Sequence, residues 1–420
     1  MTPSGADTVS KPSANYSRLL VLGLATAAAV DFFHRQIIAI ALGPLGQDLQ
    51  LSDTQRGLLV TAYAVAYAIA SLTLPRLVDQ YNRRLVISGA VALSGILALV
   101  SGMMASYTAI LVCRAGIGMA VAIVAPVSQA IIAENFTLEN GSRVQGIVAA
   151  GTPVGVIVGL GIWGWVVETH GWQTGFYLSG IFTLLIAGLL YFWIGKQDCP
   201  RSFHKSDELS FVASLRRLWQ IKTYRHMVLG FSLISVAAMG AVQWLPIFLM
   251  RFHALDIKTA GMILAVIVGA VGAVSALLSG ALGVRISRHD QRGSMWISAG
   301  GVIAATPLYI VAYFVPSTVV AVSLLGLATL FGFMVPPQFF VVVQSVVTLP
   351  LRAFAAGAAI AFFTAFGLGG GVTLVGAISE LGIWGDESLR YSLSIVTLFY
   401  LWGATHFLLA SRYSKAEKVL

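Results

Sequence analysis

Charge is what this sequence has least of. Only 10% of its 420 residues are Asp, Glu, Lys or Arg, whereas a soluble domain carries about 25%. Apolar residues make up 57% of the chain, and its mean hydropathy is +0.85. A surface that faces water needs more charge than this, so a soluble enzyme, a nucleic-acid binder and a disordered chain are excluded. The composition predicts a protein whose solvent is the lipid bilayer.

Cysteine and the common catalytic motifs are scarce as well. The two cysteines, Cys113 and Cys199, fall in an apolar run and in a basic loop, so a disulfide framework is not expected. Residues 1–16 are polar and lack the apolar core of a cleaved signal peptide. HExxH, GxSxG, GxxxxGK[ST] and clustered metal ligands are also missing from the sequence. These absences disfavour a membrane enzyme and an ATP-driven pump, and no cofactor is expected.

Twelve apolar runs are long enough to cross a bilayer, which takes about 20 residues of helix. They lie near residues 18–42, 55–78, 85–105, 107–133, 144–167, 174–195, 226–250, 259–284, 294–314, 317–346, 352–378 and 389–411. We therefore predict an all-α membrane protein of twelve transmembrane helices. Its predicted parts are a cytoplasmic tail (1–17), an N-terminal six-helix bundle (18–195), a cytoplasmic central loop (196–225), a C-terminal six-helix bundle (226–411) and a second cytoplasmic tail (412–420).

The basic residues predict the orientation. With the N-terminus inside, 20 of the 26 Lys and Arg residues fall in inner segments. Only four fall in outer loops, namely Arg56, Arg251, Lys258 and Arg390. Lys and Arg collect in cytoplasmic loops of membrane proteins, so this bias explains the net charge of +9 without a nucleic-acid partner. We expect both termini in the cytoplasm and the chain in a bacterial inner membrane.

The two halves of the sequence also repeat each other. Leu51-Ser-Asp-Thr-Gln-Arg-Gly57 enters the second run, and Leu255-Asp-Ile-Lys-Thr-Ala-Gly261 enters the eighth. Each of these runs then leads into an inner loop that is rich in arginine. Repeats of this kind place a binding site between the two halves, near the middle of the membrane. A duplicated six-helix bundle fits this pattern better than a channel subunit.

One inner loop resembles a family motif. Pro75-Arg-Leu-Val-Asp-Gln-Tyr-Asn-Arg-Arg84 is similar to the loop of the major facilitator superfamily between its second and third helices. Further stretches resemble the spinster-like branch of that superfamily, namely residues 34–36, 51–59, 114–126, 244–246 with Arg251, and 288–292. The resemblance implies two pseudo-symmetric six-helix bundles that work by alternating access. It also implies that the first and fourth helices line the central cavity.

Two departures from the branch concern acidic residues. His34 stands where the branch usually has Asp, and Val121 where it usually has Glu. Both acids expected to handle protons and cationic head groups are therefore absent. This loss puts the branch's lysolipid and sphingolipid substrates in doubt for this chain.

Four ionisable residues lie deep in the apolar runs, where such groups usually face a cavity or a partner. They are Asp31, His34, Arg35 and Arg114. Two arginines against one aspartate leave a net positive charge, and a guanidinium matches a carboxylate, phosphate or sulfonate in bidentate geometry. We expect Arg114 to bind an anionic group of a substrate. Arg35 has two interpretations, as a second anion ligand or as the structural partner of Asp31 one turn before it.

Asp31 and His34 are the candidates for proton coupling. Histidine titrates near physiological pH, and burial can raise a carboxyl group toward that range. The alternative for His34 is a hydrogen-bonded packing residue.

Other polar and aromatic residues in these runs could orient a ligand, or could simply hold helices together. They are Tyr63, Tyr67, Gln129, Gln243, Trp244 and Gln338.

A separate group is predicted to act in gating. In the superfamily the inner loop latches the cytoplasmic helix ends, and the resemblance gives this role to Asp79, Arg83 and Arg84. Glu134 and Arg143 are the candidate ionic partners.

The leading hypothesis is a monomeric secondary transporter, driven by the proton gradient, that moves a small carboxylate, aromatic acid or sulfonate. One alternative is a spinster-like exporter of lysophospholipid or sphingoid lipid. A second, from another class, is a membrane sensor that binds without transport.

Overall fold

The computed structural model describes residues 14–78, 81–136, 138–195, 211–287, 290, 292–348, 351–414 and 417. Throughout these residues the regular structure is helical, and they contain no strand. The helices of the N-terminal half are α1 (Ala14–Asp48), α2 (Asp53–Val78), α3 (Arg83–Met103), α4 (Tyr107–Val121), α5 (Val124–Asn135), α6 (Leu138–Ala149), α7 (Gly151–Ile157) and α8 (Trp163–Trp193).

The remaining helices follow the central polar segment. They are α9 (Phe211–Gln220), α10 (Lys222–His253), α11 (Ile257–Leu264), α12 (Gly272–Ser287), α13 (Gly293–Phe314), α14 (Thr318–Gly332), α15 (Val335–Val346), α16 (Arg352–Phe363), α17 (Val372–Glu380), α18 (Ser388–Thr397) and α19 (Phe399–Tyr413). Three π-helical segments, Val158–Ile162, Ala265–Val271 and Thr364–Gly371, join successive helices within single spans.

The described residues form twelve membrane crossings. Eleven stretches of them are long and apolar enough to span a bilayer, and one of these, Val144–Trp193, has 50 residues. That stretch is too long for one crossing, since about 20 residues suffice. At Gly171 its backbone leaves the helical conformation, with φ +82° and ψ 164°, which glycine adopts far more readily than other residues. Two spans therefore meet at Gly171, and the predicted twelve-helix fold is confirmed.

The two halves share an irregularity that fits a duplicated fold. The fourth span is divided between α4 and α5, and the tenth between α14 and α15. In both cases the second helix has proline in its first turn, Pro126 in α5 and Pro336 in α15. Proline has no backbone N–H and its ring clashes with the preceding turn, so it bends or interrupts a helix.

The predicted central loop is only partly a loop. Its residues 196–210 lie outside the described part of the chain, but Phe211–Gln220 forms helix α9. The ring of Trp219 stacks on Phe362 of α16 at a centroid distance of 6.0 Å. Leu218 is fully buried, whereas the basic Arg216 and Arg217 are exposed. This two-sided pattern explains why a charged segment folds into a helix beside the bundle.

Candidate functional site

The first element of the site is an ion pair within α1. Arg35 Nε and Nη2 donate to the two carboxylate oxygens of Asp31, at 3.1 and 3.2 Å. The two residues are four positions apart, which places them on one face of the helix. Both are buried. The predicted structural pairing of Arg35 with Asp31 is therefore present.

Aromatic rings complete the surroundings of this pair. The Tyr63 hydroxyl on α2 donates to Asp31 Oδ1 at 2.9 Å. The guanidinium carbon of Arg35 lies 4.4 Å from the ring centroid of Tyr67 and 5.0 Å from that of Phe32. The negative face of an aromatic ring attracts a cation. Both tyrosines predicted from the sequence thus belong to the site.

Arg114 is the second cation, and it has less support. Its side chain is fully buried, at 0% exposure. Nη1 donates to the carbonyl oxygen of His34 at 3.1 Å, and the guanidinium carbon lies 4.8 Å from the ring centroid of Tyr63. Within the described part of the chain, Nε and Nη2 have no hydrogen-bond partner. A buried cation without an anion is costly, and these two donors are the ones that an anionic group entering the bundle would complete.

The charges of the site do not cancel. Among the described residues, Asp31 is the one acid that bonds to either arginine, and its ion pair is with Arg35. Arg114 has no ion pair with any carboxylate in the same described ranges. The group of Asp31, Arg35 and Arg114 therefore holds one net positive charge away from water.

His34 contacts different helices from its neighbour Arg35. Its Nε2 lies 3.4 Å from Ser94 Oγ on α3 and 3.3 Å from Thr183 Oγ1 on α8. The ring is fully buried inside the N-terminal half. These contacts fit the packing interpretation of His34, and its role in proton coupling stays a prediction.

The candidates of the C-terminal half do not all reach this group. Gln243 on α10 does, because its Nε2 donates to the backbone oxygen of Arg35 at 3.2 Å. Trp244 Nε1 donates instead to the carbonyl of Val372, at 3.0 Å. Gln338 donates to the carbonyl of Ser279 on α12, at 2.6 Å. Trp244 and Gln338 thus hold helices of their own half together.

Gln129 lies apart from the site. It is exposed on α5 and accepts a hydrogen bond from the Gln145 side chain on α6.

The predicted gating residues are only partly described. Asp79 and the side chains of Glu134 and Arg143 lie outside the described residues. Arg83 is buried at the start of α3. The guanidinium carbon of Arg84 lies 3.5 Å from the ring centroid of Tyr191 on α8. A latch between the helix ends stays a prediction.

Sequence reasoning missed one charged cluster, which we call the Asp53 cluster: Asp53, Arg56, Arg251 and Ser379. Asp53 Oδ1 accepts from Arg56 Nη1 at 3.0 Å and from Arg251 Nη2 at 3.0 Å. Its Oδ2 accepts from Arg251 Nη1 at 3.2 Å and from Ser379 Oγ at 2.8 Å. The sequence did contain a sign of this cluster, because Arg56 and Arg251 are two of the only four basic residues predicted in outer loops.

Comparison with known proteins gives a family and several relatives. The sequence profile of the Major Facilitator Superfamily matches residues 24–411. An MFS-type efflux pump of Mycolicibacterium smegmatis is 25% identical over 398 residues, which cover 93% of this chain and 92% of that protein. A probable L-galactonate transporter of Escherichia coli is 27% identical over 261 residues, 59% of this chain and 57% of that protein. Protein spinster homolog 1 of Xenopus tropicalis is 25% identical over 330 residues, 74% of this chain and 62% of that protein.

A solved structure has the same fold. The crystal structure of a bacterial homolog to the human lysosomal transporter Spinster, inward-facing and unoccupied, superposes with a TM-score of 0.87. The match covers 97% of this chain and 100% of that one at 21% sequence identity. At this identity the likeness concerns the arrangement of the helices and not the substrate.

Proposed function

The chain belongs to the major facilitator superfamily, as its loop motif predicted, and on that premise we propose that it is a proton-coupled transporter of a small organic anion. The substrate class is a carboxylate, an aromatic acid or a sulfonate. The two halves carry it across by alternating access, with the anion held beside α1, α2 and α4. The chain acts as a monomer in an inner membrane, with both termini in the cytoplasm.

The observation that carries this proposal is the state of Arg114. A fully buried guanidinium with two unpartnered donors is unfavourable unless something negative completes it. A carboxylate or sulfonate offers oxygens in the right geometry for two parallel hydrogen bonds. The Tyr63 ring beside it suits an apolar or aromatic body on the same molecule.

The ion pair of Asp31 and Arg35 supplies a means of proton coupling. A proton on Asp31 would remove the charge that holds Arg35. Arg35 would then be released to bind the substrate beside Arg114, and loss of the proton would restore the pair and expel the anion. Gln243 of the other half donates a hydrogen bond to the backbone of Arg35. The change of partner at Arg35 therefore acts on the interface between the two halves, which opens and closes during transport.

The relatives support an anion without deciding which one. The probable L-galactonate transporter is, by its name, a carrier of a sugar acid. The relatives also include an efflux pump and a spinster protein, so lipid substrates belong in any test. The missing acids at positions 34 and 121 argue against a cationic head group.

The test is flux into proteoliposomes that contain a pH-sensitive dye. The substrates offered are galactonate, glucuronate, 3-phenylpropionate, an aryl sulfonate, a lysophospholipid and a sphingoid base. We expect proton movement with one of the acids. In Arg114→Ala the half-saturating concentration should rise about 10- to 100-fold, because a hydrogen bond to a charged group contributes about 1.5–3 kcal/mol.

Two control variants sharpen the result. Arg114→Lys keeps the charge but loses the bidentate geometry of the guanidinium. Its half-saturating concentration should therefore lie between those of the wild type and Arg114→Ala. Arg390→Gln removes an arginine that pairs with Glu387 elsewhere and should leave the affinity unchanged. Unaltered affinity in Arg114→Ala, or proton movement with the lipids alone, would overturn the proposal. Binding of an acid without flux would identify a sensor.

A further inference from the structure

A cavity of about 390 Å³ lies at the end of the bundle where α1 and α2 connect. Two charged residues of the described chain line it, Arg56 of α2 and Arg251 of α10, and both are basic. We call it the Arg56–Arg251 cavity. Its other lining residues include one amide and several apolar side chains, among them Gln47, Ile247, Met250 and Leu255. The distribution of basic residues in the sequence predicts that this end of the bundle lies on the outer side of the membrane.

The two arginines share a single carboxylate. Both bond to Asp53, whose two oxygens accept four hydrogen bonds in all, including one from Ser379. Within the Asp53 cluster one positive charge is therefore left over. Arg56 is only 8% exposed, yet its Nε has no hydrogen-bond partner among the described residues.

The nearest further acid does not line the cavity. Glu380 lies close by, but its Oε2 accepts from the backbone N–H of Thr54 at 3.1 Å and it does not line the cavity. Lys258, at the start of α11, is exposed beside Asp256, and these two opposite charges offset each other.

We propose that the Arg56–Arg251 cavity is a second anion site, which binds an organic carboxylate at the outer face before or after translocation. The volume is far larger than a halide ion needs, and the apolar walls suit a carbon body behind the carboxylate. The binding itself is independent of the site at Arg114. That its occupant is the transported substrate rests on the proposed function.

Occupation of this site would also act on the ion pair that joins α2 to α10 at this end of the bundle. Arg251 has a 38% exposed side chain, so its guanidinium can meet an incoming carboxylate. Arg251 has five N–H donors and gives two of them to Asp53, so the others can bond to a ligand, whose negative charge then competes with Asp53 for the same guanidinium. An anion that binds from outside therefore weakens the ion pair of Asp53 and Arg251, which must break before the two halves separate at this end.

The experiment is a count of binding sites by calorimetry on the full chain in lipid nanodiscs. Glucuronate and 3-phenylpropionate serve as probes, and chloride serves as the inorganic comparison. We expect the wild type to bind one equivalent of carboxylate more than Arg251→Gln. Lys258→Gln removes the same charge at the same end without touching the cavity, and it should bind as many equivalents as the wild type.

A second measurement does not depend on how the variants fold. Phenylglyoxal modifies exposed arginines, and mass spectrometry can follow its reaction with Arg251 in the wild type. The probes should slow that reaction several-fold. They should leave Arg292 unaffected, since it pairs with Asp290 in another loop.

The outcomes separate this inference from the proposed function. Equal stoichiometry in wild type and Arg251→Gln, or modification of Arg251 at an unchanged rate, would overturn the second site. Equal protection by chloride would overturn its assignment to organic carboxylates. If the extra equivalent is found but no acid is transported, the second site stands and the proposed function fails.

Discussion

Arg251 of α10 donates two hydrogen bonds to the carboxylate of Asp53 on α2, at 3.0 and 3.2 Å. The residues are 198 positions apart, so this ion pair joins the two halves of the protein. Ser379 of α17 bonds to the same carboxylate. One side chain at the start of α2 thus holds two helices of the opposite half, and separation of the halves at this end must break its contacts.

We expect Asp53→Asn to open this end of the bundle more often. The amide keeps the size of the side chain but removes its charge, so Arg251 loses its ionic partner. Thr61 lies deeper between the halves, where its hydroxyl donates to the carbonyl of Gly369 at 2.6 Å. A cysteine at position 61 should react with a maleimide about fivefold faster in the Asp53→Asn background, since a partly exposed ion pair contributes about 1 kcal/mol.

Asp256→Asn is the matched control for this measurement. Asp256 lies at the same end, but its carboxylate caps α11 through Thr259, and no hydrogen bond or ion pair joins it to the other half within the described residues. The labelling rate at position 61 should therefore stay at the parent value. Reaction of the native Cys113 and Cys199 is measured in the parent chain and subtracted. Equal rates in Asp53→Asn and Asp256→Asn would contradict the role given to Asp53.

A second prediction concerns the pH dependence of transport. Asp31→Asn cannot release or bind a proton, and it no longer holds Arg35 by charge. Uptake by this variant should therefore lose its dependence on pH, while exchange of labelled for unlabelled substrate continues. The measurement is initial uptake in proteoliposomes over a pH series from about 5 to 8.

His34→Gln distinguishes the two proton candidates. Glutamine can keep a hydrogen bond toward Ser94 and Thr183, the contacts of the histidine ring, but it does not titrate. This variant should keep the pH profile of the wild type. The opposite pattern, with the profile kept in Asp31→Asn and lost in His34→Gln, would assign the proton to His34.

The parts of the structure that the sequence predicted are those fixed by local rules. The thickness of a bilayer dictates the length of each span, so twelve apolar runs become twelve crossings. The pair of Asp31 and Arg35 follows from a separation of four residues within one helix. Even the division of the long stretch at Gly171 coincides with the predicted gap between runs at 167 and 174.

What the sequence could not supply depends on how helices meet. His34 and Arg35 are adjacent in the chain, yet one contacts α3 and α8 and the other contacts α2. Which face of α1 meets which neighbour is decided by packing of the whole bundle. The Asp53 cluster was missed for the same reason, because Arg251 and Ser379 reach Asp53 only when the two halves associate.

A third prediction tests a helix cap at the N-terminal end of α10. The two carboxylate oxygens of Glu417 accept from the backbone N–H groups of Lys222 and Thr223, at 2.9 and 2.8 Å. Partial burial raises the pKa of Glu417. The hydrogen bonds lower it by more than burial raises it, so the pKa lies below its ordinary value of 4.5. A depressed pKa in the folded protein stabilises it at pH values above 4.5, and this contribution is lost as pH falls through the folded value.

Glu417→Gln should accordingly lower the melting temperature at neutral pH, with a loss of about 1 kcal/mol as for other helix caps. The difference from the wild type should shrink as the pH falls below 4.5 and through the lowered pKa of the native carboxylate. Thermal unfolding in detergent across this pH range checks both statements. A gap that stays constant with pH would show that the charge of Glu417 is not what caps the helix.

The last prediction compares two neighbouring glycines in the π-helical segment Thr364–Gly371. A Cβ atom at Gly371 would lie 2.3 Å from the carbonyl oxygen of Val236 on α10, whereas one at Gly370 would meet nothing within 4 Å. Gly371→Ala must push α10 and the eleventh span apart, and overpacking of this kind costs about 1–3 kcal/mol. Gly370→Ala makes the same chemical change one residue earlier. It should be neutral or stabilising by up to about 1 kcal/mol, since alanine is more favourable than glycine in a helix.

The melting temperature should therefore fall in Gly371→Ala and stay the same or rise in Gly370→Ala. Equal melting temperatures would mean that α10 and the eleventh span are not packed as closely as their backbones indicate.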